Sequence, residues 1–148
     1  MLSASHFRIT LGPNPIQIDE NVDFLREAEG GAIDIFLGTT RRHTNGKETV
    51  LLSYEAAGDL AEAELLRLLD ETRSRWPVLR AVVIHRTGPV AVSEVSVFIG
   101  VATPHRSDSF AACRHLIDQL KLRVPIWKRE TFADGSSDWV KGSVPEDD

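Results

Sequence analysis

The hydrophobic positions recur at helical spacing in two stretches of the chain and form short dense runs elsewhere. Asp59, followed by Glu62, predicts the N-cap of the first helix, and Pro77 predicts its end. The second helix is predicted to start at a Ser107 cap and to end before Pro125. The apolar stripes of the two helices comprise Ala61, Leu65, Leu68, Leu69, Thr72 and Trp76 in the first, and Phe110, Cys113, Ile117, Leu120 and Val124 in the second.

Short runs rich in β-branched and aromatic residues predict strands around these helices. They cover residues 7–11, 32–39, 50–54, 79–86, 94–103 and 126–132. The run at 94–103 is apolar on both faces, which places it at the centre of a sheet. A shorter helix is predicted from Asp19 to Glu29, where two glycines end it.

The order of these elements favours an α+β fold. Several connections are short enough to be hairpins. The segment from Arg41 to Glu48, centred on Asn45-Gly46, is predicted to be a flexible loop or a hairpin, and Gly88-Pro89 predicts a turn. We therefore expect a mixed, largely antiparallel sheet with helices packed on one face. The length suits a single domain over residues 1–148, with an acidic tail that frays from Gly142.

Composition excludes several classes of function. With 17 basic and 22 acidic residues, the net charge of −5 disfavours a nucleic-acid binder. Cys113 is the only cysteine, so neither an internal disulfide nor a cysteine-cluster metal site is possible, and the histidines are too scattered to predict a metal site. No run is long enough to span a membrane, and no signal peptide is recognisable. We expect a soluble cytoplasmic protein.

The segment from Lys121 to Glu130 holds the strongest candidate chemistry. Its two lysines flank a Pro-Ile-Trp block, so Lys121 lies in the last turn of a helix and Lys128 in a strand. Two ammonium groups can thus approach one pocket from two rigid elements, as catalytic lysines do. Lys121 is equally typical of a lysine that covers a helix C-terminus, and Lys128 of a strand lysine paired with Glu130.

Two further basic segments could bind an anion. His105 and Arg106 precede a predicted helix start, where free N–H groups favour negative charge, although a surface turn whose arginine is unfavourably placed for the helix dipole is also compatible with the pair. The segment Thr39-Thr40-Arg41 enters a loop directly after a strand, although a solvated basic loop is also compatible with it. The remaining histidines, including the one in His85-Arg86, are assigned structural roles.

These segments together resemble the large, catalytic subunit of molybdopterin synthase, the MoaE family. The resemblance runs from Phe7 to Val140 in one order, with departures at Arg42, Ile117 and the turn at 89–94. The matching segments are Gly31-Ala32, Phe36 to Arg41, Leu52 to Ala56, Arg75 to Pro77, Ile84 to Gly88, Val101, His105 to Ser107, Phe110, Leu120-Lys121, Pro125 to Glu130, Gly135 and Trp139-Val140.

The resemblance implies an α/β hammerhead-type fold and a homodimer at the centre of a heterotetramer. Each end would bind a small ubiquitin-like sulfur-carrier subunit, whose C-terminal Gly-Gly thiocarboxylate enters the catalytic pocket. Two sulfurs would pass to cyclic pyranopterin monophosphate and form the dithiolene of molybdopterin. No metal or other cofactor is implied for this step.

The resemblance also assigns residues. Lys121 would perform general acid–base work and Lys128 would stabilise developing negative charge, with both contacting the substrate. The other implied substrate-binding residues are Thr39, Thr40, Arg41, His105, Arg106, Arg129 and Glu130. Either protomer of a dimer could supply a given contact. The alternatives are a module that docks a ubiquitin-like carrier without chemistry and an anion- or nucleotide-binding regulator, which the acidic charge and the missing phosphate loop disfavour.

Overall fold

The computed structural model describes residues 2–3 and 6–141, which form two sheets and three helices. The predicted α+β class is confirmed. The predicted tail from Gly142 lies outside the described residues. The elements are β1 (Leu2–Ser3), β2 (Phe7–Gly12), α1 (Ile18–Leu25), β3 (Ala32–Thr39), β4 (His43–Thr44), β5 (Lys47–Ala56), α2 (Gly58–Arg75), β6 (Arg80–Arg86), β7 (Gly88–Ala91), β8 (Val95–Thr103), α3 (Arg106–Arg123), β9 (Ile126–Phe132) and β10 (Ser137–Lys141).

The first sheet has the strand order β1-β2-β6-β8-β3. Strands β2 and β6 run parallel, and the other neighbouring pairs are antiparallel, so the sheet is mixed as predicted. Strand β8 lies between β6 and β3, and all of its residues after Val95 are buried. Its continuous apolar run therefore marked a central strand correctly.

Helices cover both faces of this sheet, so the prediction of helices on one face is wrong. Helices α2 and α3 pack on the face that includes Ala81 and Val83, whereas α1 packs on the opposite face, where its Leu25 contacts Val82 and Phe98. Strands β6 and β8 carry apolar residues at both even and odd positions. Such strands need a covering layer on each face.

The second sheet has the order β10-β9-β5-β4, with β7 also pairing with β5. Of the flexible loop and the hairpin predicted around Asn45-Gly46, the structure forms the hairpin: β4 pairs with β5, and both residues between them have positive φ (51° and 81°). The segment predicted as a turn at Gly88-Pro89 instead begins strand β7, which follows a positive φ of 74° at Gly88.

Two helix boundaries differ from the predictions. Helix α2 starts at Gly58 rather than after an Asp59 cap, because the carbonyl of Ala57 already accepts the N–H groups of Leu60 and Ala61. Helix α1 ends at Leu25 instead of Glu29. Within residues 2–3 and 6–141, no helix is both long and apolar enough to cross a membrane.

Helix α3 starts two residues earlier than predicted, with His105 rather than Ser107 at the N-cap. His105 has the extended backbone (φ −130°, ψ 145°) that precedes a helix, and the hydroxyl of Thr103 donates to its carbonyl at 2.7 Å. The side chain of Phe110, predicted in the core, is 58% exposed. The other four predicted stripe residues of this helix are buried.

Candidate active site

A cavity of about 280 Å³ lies where the two sheets meet the C-terminal end of α3. Its wall combines residues from β3, β4, β5, β6, β8, α3 and β9 with Arg41 between β3 and β4, so distant parts of the sequence meet there. The lining residues are Phe36, Leu37, Gly38, Thr39, Arg41, Thr44, Leu52, Tyr54, His85, Ser96, Val97, Ile117, Leu120, Lys121, Val124, Ile126, Lys128 and Glu130.

Both predicted catalytic lysines line this cavity. Lys121 is half-buried in the last turn of α3, which ends at Arg123. The C-cap residue Val124 has an extended backbone that leads into Pro125. Lys128 is half-buried on β9, directly opposite Tyr54 of β5. The short Pro125 joint therefore brings two cationic side chains from a helix and a strand to one enclosed space.

Glu130 connects the 43–49 hairpin to the cavity wall through hydrogen bonds. Its carboxylate is buried and accepts a hydrogen bond from the Thr44 hydroxyl at 2.7 Å, and another from the hydroxyl of Thr49. Thr44 belongs to β4, whereas Glu130 lies 86 residues later on β9. The carboxylate thus ties the 43–49 hairpin to the strand that bears Lys128.

The segment at the end of β3, Thr39-Thr40-Arg41, contributes two of its three predicted residues to the cavity. Thr39 and Arg41 line it, whereas the side chain of Thr40 is only 2% exposed and is not part of the lining. The backbone of Thr40 donates to the Glu94 carbonyl at 3.2 Å and accepts from the Ser93 N–H at 2.9 Å. Thr40 therefore anchors the turn that presents Arg41.

Three other predicted substrate contacts lie away from the cavity of the same chain. His105 and Arg106 are exposed at the start of α3. Because Lys121 follows Arg106 by fifteen residues in this helix, the two backbones are about 22 Å apart at 1.5 Å per residue. Arg129 lies on the opposite face of β9 from Lys128, and its guanidinium donates to the Ser137 hydroxyl at 3.2 Å.

His85, to which the sequence analysis gave a structural role, is part of the cavity wall. Its ring is buried, its Nδ1 lies 2.7 Å from the Arg86 carbonyl oxygen, and Tyr54 packs edge-on against it at 4.8 Å between centroids. Burial lowers the pKa of His85 from 6.5 to about 4, and the positive charge of Lys121 adds to that shift. The alternation of inward residues along β6 was the signal that could have placed it here.

The side chain of Arg86, next to His85, connects three neighbouring segments through hydrogen bonds. Its guanidinium donates to Glu94 at 3.3 Å and to the carbonyls of Pro13 and Pro89 at 3.4 and 3.3 Å. Glu94 also accepts from the Ala91 N–H, and this bond, followed by the contact with Arg86, lowers the carboxyl pKa. Through Glu94 the arginine supports the turn that holds Thr40.

Comparison with known proteins identifies the family. A model of the MoaE protein family matches residues 11–123, about three quarters of the chain. The chain belongs to the MoaE family.

Several MoaE-family relatives share most of their length with this chain. The molybdopterin synthase catalytic subunit of Halalkalibacterium halodurans is 41% identical over 133 residues, covering 90% of this chain and 85% of that protein. The crystal structure of molybdopterin synthase from Staphylococcus aureus superposes with a TM-score of 0.81 at 34% identity, covering 95% and 98% of the two chains. A complex of subunits 1 and 2 of molybdopterin-converting factor from Helicobacter pylori shares the fold, with a TM-score of 0.72 at 18% identity and coverage of 93% and 92%.

The cysteine of this MoaE-family chain lies outside the cavity lining. Burial raises the pKa of the Cys113 thiol to about 12, and the nearby charge of Asp34 adds to the shift. The thiol is therefore protonated at neutral pH and is a poor nucleophile. Among the residues that the structure describes, no three His, Cys, Asp or Glu side chains cluster as a metal site would require.

Proposed function

We propose that this chain is the catalytic subunit of a cytoplasmic molybdopterin synthase. It would transfer sulfur from the C-terminal thiocarboxylate of a small ubiquitin-like carrier to cyclic pyranopterin monophosphate, forming a dithiolene. The observation that carries the proposal is the convergence of Lys121 and Lys128 in one cavity with Arg41. Family membership supports the same reaction.

The roles of the cavity residues follow from their chemistry. Lys121, held at the end of a rigid helix, would exchange protons with the pterin side chain, and Lys128 would stabilise the negative charge that develops during sulfur transfer. Arg41 is suited to grip the phosphate, because a guanidinium can bind two phosphate oxygens at once.

The sulfur would come from a partner protein rather than from this chain. Its single cysteine is buried, and its thiol stays protonated at neutral pH. A carrier with a thiocarboxylate at the end of a flexible Gly-Gly tail could reach the enclosed cavity, which a folded domain could not enter. The two-subunit complex of the Helicobacter pylori neighbour supports a small partner of this kind.

A homodimer would complete the site. His105 and Arg106 lie about 22 Å from Lys121 along α3, so their predicted contact with the same substrate requires a second copy. Strand β3 ends the first sheet within the described residues, and it exposes Ile33 and Leu37 by 41% and 39%. An open sheet edge with exposed apolar side chains favours coverage by another chain.

Mixing two defective variants tests the shared site. We expect Lys121→Ala to lose most turnover, and Arg106→Ala to weaken substrate binding by about 1.5–3 kcal/mol, the loss expected for a hydrogen bond to a charged group. A mixed dimer would hold one intact site, built from Lys121 of one protomer and Arg106 of the other. Random re-assortment should therefore restore about a quarter of the parental activity at low substrate concentration.

Two affinity tags on the variants allow mixed dimers to be isolated and counted. Recovery of activity only in the doubly tagged fraction would support a site that spans two chains. Mixed dimers that form but stay as inactive as Lys121→Ala and Arg106→Ala alone would contradict a site that spans two chains. A monomer by light scattering at all concentrations would contradict the dimer itself.

A further inference from the structure

His85 occupies the only inward position of β6 that reaches the cavity. The inward residues before it, Ala81 and Val83, are apolar and lie in the core formed with α2 and α3. His85 continues that alternation and lies between Leu11 of β2 and Val97 of β8 in the sheet. Val97 also lines the cavity. The polar ring of His85 therefore lies at the boundary between the hydrophobic core and the cavity.

The hydrogen bond to Arg86 fixes the tautomer of this ring. A backbone carbonyl oxygen can only accept, so the contact of 2.7 Å requires His85 to carry its proton on Nδ1. In the neutral ring the other nitrogen, Nε2, then presents a lone pair and can only accept.

The surroundings keep the ring neutral. Burial is the main reason that the pKa of His85 falls to about 4, and the Lys121 charge is a further one. The charged and titratable groups that line the cavity with His85 are Lys121 from α3, Tyr54 from β5, Lys128 and Glu130 from β9, and Arg41 after β3, whereas β4 and β8 contribute none. The Arg86 side chain points away from it to Glu94.

We propose that His85 is a positioning residue for Lys121, whose ammonium group donates a hydrogen bond to the Nε2 lone pair. The imidazole would hold the lysine at the cavity without neutralising its charge, which a carboxylate in the same place would do. Tyr54 packs edge-on against the ring and lies opposite Lys128 in the β5–β9 pair, so it limits the movement of the ring on that side. The catalytic consequence rests on the proposed function, whereas the contact itself does not.

Two substitutions separate the two ring nitrogens. In His85→Asn the amide N–H can replace Nδ1–H at the Arg86 carbonyl, but nothing replaces Nε2. In His85→Gln the longer side chain can bring its amide oxygen to the position of Nε2. We expect His85→Asn to slow single-turnover product formation by about 10- to 100-fold, typical of a misplaced catalytic group, with substrate KM little changed. His85→Gln should retain most of the rate.

The reverse order, with Asn nearly as active as the parent and Gln impaired, would show that only the backbone bond matters and would overturn the proposal. A rise in KM at constant kcat would do the same, because it would make His85 a substrate contact. Thermal melts of both variants show whether each comparison is made between folded proteins.

Nuclear magnetic resonance of the unsubstituted chain tests the contact without any turnover. Long-range proton–nitrogen spectra of the imidazoles at neutral pH should show His85 as the Nδ1–H tautomer, assigned by its disappearance in His85→Gln. Its Nε2 resonance should shift in Lys121→Met and stay in place in Lys47→Met, which alters an exposed lysine of the 43–49 hairpin that does not line the cavity. An unmoved Nε2 resonance in Lys121→Met would overturn the proposal even if sulfur transfer is established. A shift without any turnover by the parent chain would keep the contact and remove the proposed function.

Discussion

Replacement of Glu130 by alanine should loosen the hairpin that borders the cavity. The carboxylate is 7% exposed and accepts hydrogen bonds from Thr44 and Thr49, the second of which is 1% exposed. A hydrogen bond to a charged group stabilises by roughly 1.5–3 kcal/mol, and both bonds share one oxygen, so they are not additive. Because the buried Thr49 hydroxyl would keep only its longer contact with the Thr44 hydroxyl at 3.4 Å, we expect Glu130→Ala to lower the free energy of unfolding by about 3 kcal/mol.

Urea denaturation at neutral pH measures this loss as a lower midpoint at constant slope. Glu130→Gln retains an acceptor oxygen of the same shape and should lose only about 1 kcal/mol. Glu48→Ala, at an exposed glutamate of the same hairpin, is the matched control and should stay within about 0.5 kcal/mol of the parent. The reasoning would be refuted if Glu130→Ala and Glu48→Ala had the same midpoint.

Two other predictions concern stability. The pKa of His85 is about 4 in the folded chain against 6.5 in the unfolded one, so the unfolded chain binds more protons between these values. The contribution of a neutral, buried His85 to the free energy of unfolding should therefore be fully present above pH 6.5 and fall by up to about 3 kcal/mol as the pH drops towards 4. The urea midpoint should show this fall between pH 6.5 and 4.5 in the parent, and a steep fall retained in His85→Gln would contradict it. Separately, a Cβ on Gly31 would lie 2.2 Å from the Pro104 carbonyl oxygen, so Gly31→Ala should destabilise by about 1–3 kcal/mol in thermal melts. Gly12→Ala, with nothing within 4 Å, should have no such effect, and equal melting of the two variants would disprove the clash.

The sequence predicted those features that depend on short spacings. The run at 94–103 was apolar on both faces, which identified the central strand because only a strand covered on both sides tolerates that pattern. The Asn45-Gly46 pair identified a hairpin because both residues readily adopt positive φ. The proline between Lys121 and Lys128 predicted a helix–strand joint, and that joint does bring both lysines to one cavity.

Features that depend on the arrangement of distant elements were not predictable. The placement of α1 on the second face of the sheet follows from packing, since a short amphipathic helix can cover either face. Spacing also did not show that Thr40 turns into the protein while its neighbours line the cavity. His85 was overlooked because a histidine in a strand is more often structural, and its meaning depends on Lys121, which lies 36 residues later.

The position of His105 and Arg106 shows the same limit at the level of assembly. A basic pair at a helix start predicts an anion site, and the structure keeps both residues exposed at that start. Their distance from Lys121 is fixed by the length of α3, which the sequence also predicted. Whether His105 and Arg106 contact the substrate of their own chain or that of a second copy depends on the assembly, and the mixing experiment tests this.

Single-turnover formation of the dithiolene product tests the central claim most directly. The chain would be given saturating cyclic pyranopterin monophosphate and a thiocarboxylated carrier, and compared with Lys121→Ala and Lys121→Arg. The parent should form product, and Lys121→Ala should be slower by about 10²–10⁴-fold, as expected for loss of a general acid–base group. Lys121→Arg should also fail, because a guanidinium does not readily release its proton. Product formation by both variants at the parental rate would contradict a catalytic role for Lys121 and would leave the chain as a module that only docks the carrier.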